Sequence, residues 1–298
     1  MNNKIYLLVI FFLATAAIEI QPETKVLLLG TGTPYPSIKN QGPATAVIYN
    51  NRVFLFDAGS GVMRQMNGAN LPISGPEATF ITHLHSDHTL GYADLILTTW
   101  VMRRTKQLEV YGPIGLKKMT DHLLTAYYED IEIRINGLEK EIADAYKVNV
   151  HEINEGVVYD SADVKVTAFR VLHGEWQFAF GYRIDTPDKS IVISGDTRPC
   201  KNLINYAANC DILVHEVYAS DRLQPEDRPG GEFWPQYCKE YHTSDYELGK
   251  IASEINPGML ILTHIVRMGA SDDELIGNIR KGGYSGVLKI GSDLEVFK

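Results

Sequence analysis

The chain has 298 residues, of which 45 % are hydrophobic and 22 % charged. That is the composition of a globular protein, so disordered and fibrous classes are excluded, and the length admits one α/β domain or two smaller ones. The net charge is −9, and no run of Lys or Arg interrupts it, which argues against nucleic acid as a partner.

The N-terminal segment differs from the rest. Lys4 precedes the apolar run Ile5–Leu13 (IYLLVIFFL), and Ala14-Thr15-Ala16 follows it. Charge, apolar run and small residues in that order predict a secretory signal peptide over residues 1–16. The run is too short to cross a bilayer, which needs about 20 residues. Cleavage would leave residues 17–298 in the periplasm or secreted, with no membrane span. The mature chain would carry 27 basic against 37 acidic residues, a charge of −10.

Lys25–Gly30 reads as a buried strand running into Gly-Thr-Gly-Thr-Pro34. Ala44–Tyr49 and Val53–Phe56 flank Asn50-Asn51 as a hairpin. Asp57-Ala-Gly-Ser-Gly61 ends that sheet and opens a helix. Ala78–Thr82 is a further strand, and Tyr92–Arg104 and Ile114–Tyr128 carry helical patterns. Val148–Ile153, Val164–Val171, Phe178–Ile184 and Ser190–Ser194 read as strands. So do the apolar runs Ile212–His215 and Met259–Thr263. Ser244-x-x-Glu247 and Ser271-x-x-Glu274 are capping boxes that each open a helix. Residues Ala219–Tyr241 hold Pro225, Pro229, Gly230, Gly231 and Pro235 among Phe233, Trp234, Tyr237 and Tyr241. They read as a long aromatic loop, either a pocket lid or an arm at a homodimer interface. Cys200, Cys210 and Cys238 are expected as free thiols, since a helix separates the first two. No flexible linker divides the chain. The pattern predicts two β-rich halves with helices outside, a single layered α/β domain.

The stretch Thr82-His83-Leu84-His85-Ser86-Asp87-His88 follows directly on a strand. Strand alternation puts His83 and His85 on one side, and the following turn brings Asp87 and His88 back. Imidazole and carboxylate suit zinc. Four such ligands exceed what one tetrahedral ion takes from one segment, so two ions are expected. His173, Asp196 and His264 each stand at the same end of an apolar run and supply further ligands.

On these residues the chain resembles the metallo-β-lactamase fold superfamily, in its ribonuclease Z and arylsulfatase-like branch. The matching pieces are Leu29-Gly-Thr-Gly-Thr-Pro34, Asp57-Ala-Gly-Ser-Gly61, the H-x-H-x-D-H motif, Tyr111-Gly-Pro-x-Gly115, His173, Gly195-Asp-Thr197, His215-Glu216 and His264. The resemblance implies a four-layer αββα sandwich and two Zn2+ per chain. It implies one ion held by His83, His85 and His173, and the other by Asp87, His88 and His264. Asp196 would bridge the two, Asp57 would orient a ligand histidine, and Glu216 with His242 would protonate the leaving oxygen. Asp87 thus counts as both ligand and catalytic carboxylate. His122 and His151 match nothing and are expected at the surface.

Two features shape the functional expectation. Leu116–Val157 is short for the basic, glycine-rich arm that grips tRNA, and it is acidic at Glu129-Asp130 and Glu139-Lys140-Glu141. Asp196 argues against a penicillin-type substrate. The expected protein is an exported dinuclear zinc hydrolase that opens a small phosphodiester or sulfate ester, with lactones as an extension, by metal-activated hydroxide. The alternatives are a ribonuclease Z-type tRNA 3′-end endonuclease and a metal-binding protein without turnover.

Overall fold

In the computed structural model, which describes residues 23–161 and 163–298, strand β1 (Lys25–Gly30) is buried on both faces. Val26 and Leu28 point one way, Leu27 and Leu29 the other. β2 (Ala44–Tyr49) and β3 (Arg52–Phe56) repeat the division: Val47, Phe54 and Phe56 join Val26, while Ala46, Val53 and Leu55 join Leu27. A strand apolar on both faces has to lie inside a stack of layers. The signal-peptide reading of residues 1–16 lies outside the described residues.

β4 (Ala78–Phe80), β5 (Leu108–Gly112) and β6 (Val148–Glu152) continue the first sheet parallel to β3. The second sheet begins with β7 (Gly156–Ser161), β8 (Val164–Arg170) and β9 (Phe180–Asp185), paired antiparallel. It continues through β10 (Ser190–Ile193), β11 (Ile212–Tyr218), β12 (Met259–Val266) and β13 (Val287–Ile290), which are parallel. β14 (Val296–Phe297) returns to the first sheet beside β1. The two orders are β14-β1-β2-β3-β4-β5-β6 and β13-β12-β11-β10-β9-β8-β7.

Between the sheets lies an aromatic core of Phe54, Phe56, Phe80, Phe180 and Tyr182. Helices α1 (Val62–Gly68), α3 (Tyr92–Val101) and α4 (Leu116–Ala126) cover the outer face of the first sheet through Val62, Met63, Leu95 and Leu116. Helices α6 (Lys201–Ala207), α8 (Asp245–Ile255) and α9 (Asp272–Lys281) cover the second through Leu203, Leu248, Ile251 and Ile279. The expected αββα sandwich is therefore present as a single domain. Both capping boxes form, with Ser244 and Ser271 each accepting from the backbone of the Glu three residues on.

Several local expectations are corrected. Residues 219–241 are not a continuous loop. Two 3-10 turns, Ser220–Arg222 and Gly231–Phe233, lead into α7 (Trp234–Tyr241). Pro235 sits in the first helical turn, where its missing N–H costs nothing. The expected helix over 114–128 becomes α4 and a separate α5 (Tyr128–Asn136), broken at Tyr127. His264 lies inside β12, not beyond its end. Cys200, Cys210 and Cys238 are free, as expected. His122 is exposed, and His151 pairs with Glu109 at 2.8 Å on the sheet edge.

Candidate metal centre

The site lies where the parallel strands β4, β10, β11 and β12 reach their C-terminal ends, the usual place for a site in open α/β sheets. β4 runs into the His83–His88 segment, whose last residues form the short helix α2 (Ser86–Thr89). Asp196 stands three residues beyond β10, Glu216 within β11 and His264 within β12. His173 follows β8 on a turn that bridges to Trp176.

The structure brings every sequence-predicted ligand together. His83, His85, His173 and Asp196 form one group, Asp87, His88 and His264 a second, and in each the candidate atoms lie within 4.8 Å of one another. In the first, His83 Nε2 is 2.9 Å from His85 Nδ1, which is 3.0 Å from His173 Nε2. In the second, Asp87 Oδ2 is 3.1 Å from His264 Nε2 and 3.7 Å from His88 Nε2. Asp196 Oδ2 faces both groups, 3.9 Å from His83 Nε2, 3.4 Å from His88 Nε2 and 3.6 Å from His264 Nε2.

These residues fit a pair of divalent cations. A tetrahedral zinc with bonds of roughly 2.0–2.1 Å sets its ligand atoms roughly 3.3 Å apart. The separations above straddle that value. Outer partners fix which nitrogen is bare in three of the rings. His173 Nδ1 donates to the Tyr241 carbonyl at 2.7 Å. His83 Nδ1 meets Thr82 Oγ1 at 3.0 Å, and the Thr82 hydroxyl donates to Asp57. His88 Nδ1 donates to Asp57 Oδ2 at 2.8 Å. The Nε2 lone pairs of His83, His88 and His173 therefore converge on the cluster. Buried His88 Nε2 has no hydrogen-bond partner among the described residues. Converging lone pairs beside carboxylates repel one another unless a cation lies between them.

The electrostatics agree. Burial pulls the His83 ring well below its ordinary pKa, with neighbouring His88 adding to the effect, and burial brings His173 down to about 3. Both are therefore neutral ligands at neutral pH. Burial opposes ionisation of Asp196, but His264 and His88 outweigh it and hold the carboxyl well below its usual range. Asp87 is lowered likewise, burial being overcome by the hydrogen bond from His264. At His88 burial works downward, yet Asp196 and Asp57 hold the ring well above its ordinary value. The carboxylates thus create a spot where positive charge is favoured.

Two site residues hold backbone that L-residues seldom adopt. Asp57 has φ 61 and His264 φ 44, conformations tolerated where surrounding contacts over-determine them. Gly195, with φ 59, precedes Asp196; a Cβ there would stand 2.7 Å from the Phe180 carbonyl oxygen.

Glu216 and His242 lie beside the centre. Glu216 Oε1 accepts the backbone N–H of Thr243 at 3.0 Å and of Thr197 at 3.3 Å. Its Oε2 is 3.4 Å from His242 Nδ1, a long contact; neither atom makes a hydrogen bond among the described residues, and His242 Nδ1 also lies 3.9 Å from Asp196 Oδ2. Burial pulls the His242 pKa down, but Glu216, helped by Asp196, raises it above the ordinary value.

Sequence reasoning missed Thr82, Thr197 and Thr243, whose roles are hydrogen bonds to Asp57 and Glu216, and Trp176, whose indole nitrogen lies 2.8 Å from His85 Nε2. Thr82, Thr197 and Thr243 each adjoin a predicted site residue, which was the available signal. Trp176 had none, because its contact depends on the turn after His173.

A model of the beta-lactamase superfamily domain matches residues 52–265. Ribonuclease Z of Mycobacterium sp. strain KMS is 34 % identical over 276 residues, covering 91 % of this chain and 94 % of that protein. Among solved structures, the metallo-beta-lactamase fold protein YhfI of Bacillus subtilis superposes with a TM-score of 0.70 at 19 % identity, covering 93 % of this chain and 99 % of that one. The human tRNase Z short form does so with 0.68 at 22 %, covering 92 % and 98 %. These two likenesses concern the fold. The ribonuclease Z relative runs against the expectation, drawn from net charge, that nucleic acid is not a partner. A whole-chain charge averages over the surface and is silent on what one mouth can bind.

Proposed function

Because the chain belongs to the beta-lactamase superfamily, in its ribonuclease Z branch, we propose that it is a dinuclear zinc phosphodiesterase that cuts RNA at the 3′ side of a tRNA-like body. The observation that carries this reading is the meeting of two His/Asp groups on one shared carboxylate, Asp196, with Glu216 and His242 alongside. This replaces the small-ester substrate as the main expectation, and it prefers a phosphodiester to a sulfate ester.

His83, His85 and His173 would hold one zinc, Asp87, His88 and His264 the other, with Asp196 between them. When bound, two such cations supply Lewis acidity and water activation for in-line displacement at phosphorus. The remaining steps belong to the chain. Asp57 keeps the Nε2 atoms of His83 and His88 turned inward, one through Thr82 and one directly. The Tyr241 carbonyl does so for His173. Two backbone N–H groups fix Glu216, so its Oε2 faces His242 Nδ1. That contact keeps the ring protonated and leaves Nε2 to pass its proton to the departing oxygen.

The test is a side-by-side assay of zinc-loaded protein on precursor tRNA, bis-p-nitrophenyl phosphate, a p-nitrophenyl sulfate and a lactone. Release of the 3′ trailer from precursor tRNA supports the proposal. Turnover of none of the phosphodiesters would sink it.

One observation favours a second reading. The run Ile5–Leu13 with Ala14-Thr15-Ala16 proposes export, and an exported enzyme would meet small phosphodiesters rather than tRNA. A mature N-terminus at Ala17 in a periplasmic or secreted fraction would favour it, and a cytoplasmic protein starting at Met1 would exclude it.

A further inference from the structure

The aromatic residues of α7 form one continuous stack leading out from the metal centre. Trp234, Tyr237 and Tyr241 stand at i, i+3 and i+7, hence on one helix face. Trp234 and Tyr237 have ring centroids 5.4 Å apart with 15° between planes, and Tyr237 and Tyr241 are 4.2 Å apart at 24°. All three are half-buried.

The inner end of the stack is closed. The Tyr241 ring lies against Gly174 so tightly that a Cβ there would be 2.0 Å from Tyr241 Cζ. Its edge-on neighbour is His173, 5.0 Å away. Tyr237 has a ring on each side. The outer end is different. Trp234 has Tyr237 on one face and points Nε1–H at Met268 Sδ, 3.5 Å away. Among the described residues no second ring stacks on it.

The geometry points to a base-binding subsite: the face of Trp234 turned away from Tyr237, on which no ring stacks among the described residues, stacks the nucleobase of a nucleotide flanking the cut phosphodiester. A base placed there adds a fourth ring to a pile already at stacking distance. Trp234 stands two ring spacings from Tyr241, too far for the nucleotide whose phosphate lies at the cluster and suited to a neighbour of it. Stacking on aromatic side chains is a general source of affinity for single strands, and it tolerates any base.

The identity of the ligand rests on the phosphodiesterase reading, so the experiment separates the two. A short RNA with an uncleavable methylphosphonate at the central linkage is titrated into the zinc-loaded protein. Two companions carry an abasic site on one side or the other of that linkage. The intact RNA is expected to bind roughly tenfold or more tighter than one of the abasic forms, with quenching of tryptophan fluorescence. Trp234→Ala is expected to bring that ratio close to one, and Trp234→Phe to keep most of it. Zinc content and melting temperature are read on each variant, so that loss of the fold is seen as such. If Trp234→Ala does not fold, the wild-type ratio and the Trp234→Phe ratio decide. Equal binding of intact and abasic RNA by the wild type, or an unchanged ratio in Trp234→Ala, overturns the subsite. Base preference without cleavage of any phosphodiester would leave the subsite standing and overturn the catalytic reading. Cleavage without base preference would do the reverse.

Discussion

The strand-end cradle and the α7 arm meet at His173, yet they are built by different means. In the cradle His83, His88 and His173 are each fixed twice, once by the strand or turn that carries the ring and once by a hydrogen bond from behind. Asp57 alone serves His88 and, through Thr82, His83. The backbone at Asp57 and His264 is strained, and apart from the half-buried His85 the cluster is closed to solvent. The arm is held by the buried Cys238, by Tyr241 lying on Gly174 and by hydrogen bonds from Gly174 N–H to the Glu240 carbonyl, from His173 to the Tyr241 carbonyl and from Trp234 to Met268. Its aromatic rings are half-buried, and Phe233 is 62 % exposed. Aiming lone pairs at a cation demands rigidity, because an error of a few tenths of an ångström weakens a bond. Stacking a base demands only a flat face. Substitutions in the cradle should therefore remove chemistry outright, while those in the arm should change which ligand is held.

The largest effect is expected at the residue both metal groups share. Asp196→Asn keeps the shape and removes the charge, so several kcal/mol of metal-derived stabilisation should be lost, roughly a thousandfold in kcat. Metal analysis of the wild type after chelation and zinc reconstitution should give about two ions per chain, one for each group of ligands. A mutant that turns over normally with both ions bound would remove Asp196 from the bridging role. One ion per wild-type chain would leave only one of the two groups as a site.

Next comes His242, at the seam between cradle and arm. His242→Ala should slow substrates with poor leaving groups by roughly a hundredfold or more, and activated nitrophenyl esters far less, because only the former need a proton. Equal losses would reassign His242 to positioning. The pH dependence has a definite sign. The folded-state pKa of His242 is raised above 6.5 by Glu216, so the active protonated form is lost as pH rises through that value. The stability it contributes follows the same course: it is fully present below the unfolded pKa and lost as pH rises through the folded one. Glu216→Gln should move the alkaline limb of kcat to lower pH. An unmoved limb would show that another group sets it.

A smaller effect is expected one step behind the ligands. Asp57→Asn keeps the size of the side chain but weakens its hold on Thr82 and His88. Zinc affinity should fall roughly ten- to a hundredfold, with the fold intact. Competition with a fluorescent chelator measures this directly, and an unchanged affinity would make Asp57 a turn residue only.

The contrast between the two regions also explains how much was legible in the sequence. The cradle residues sit on or next to apolar runs, and short-range order fixes where a strand ends. His83, His85, Asp87, His88, His173 and Asp196 could thus be placed from the text of the chain, and even His264 was misplaced only by treating its strand as finished. The arm was not legible. Pro225, Pro229, Gly230 and Gly231 announce a loop, and they hid the helical spacing of Trp234, Tyr237 and Tyr241 that begins just after them. β13 and β14 were missed for another reason. Val287–Ile290 and Val296–Phe297 are too short to show a period, and they are strands only because β12 and β1 offer them open edges. Asp293 is likewise invisible locally: it gathers Thr31, Gln41 and Gln65 from the other end of the chain.

The smallest expected effect separates the seam from the outer scaffold. Two capping boxes of the same kind open α8 and α9. One, Ser244 with Glu247, begins two residues after His242, and the other, Ser271 with Glu274, is remote from the cluster. Replacing either serine by Ala should cost about 1 kcal/mol, which lowers Tm by roughly 2–4 °C in a domain of about this size. The activities should differ where the stabilities do not. Ser244 anchors the segment in which Thr243 N–H holds Glu216 and His242 faces it, so Ser244→Ala should reduce kcat several-fold on substrates that need a proton. Ser271 makes no hydrogen bond to Glu216, His242 or a candidate ligand, and the kcat of Ser271→Ala should stay within error of wild type. Equal kcat losses in the two variants would mean that general softening of the fold governs turnover, and that the seam carries no special positioning role.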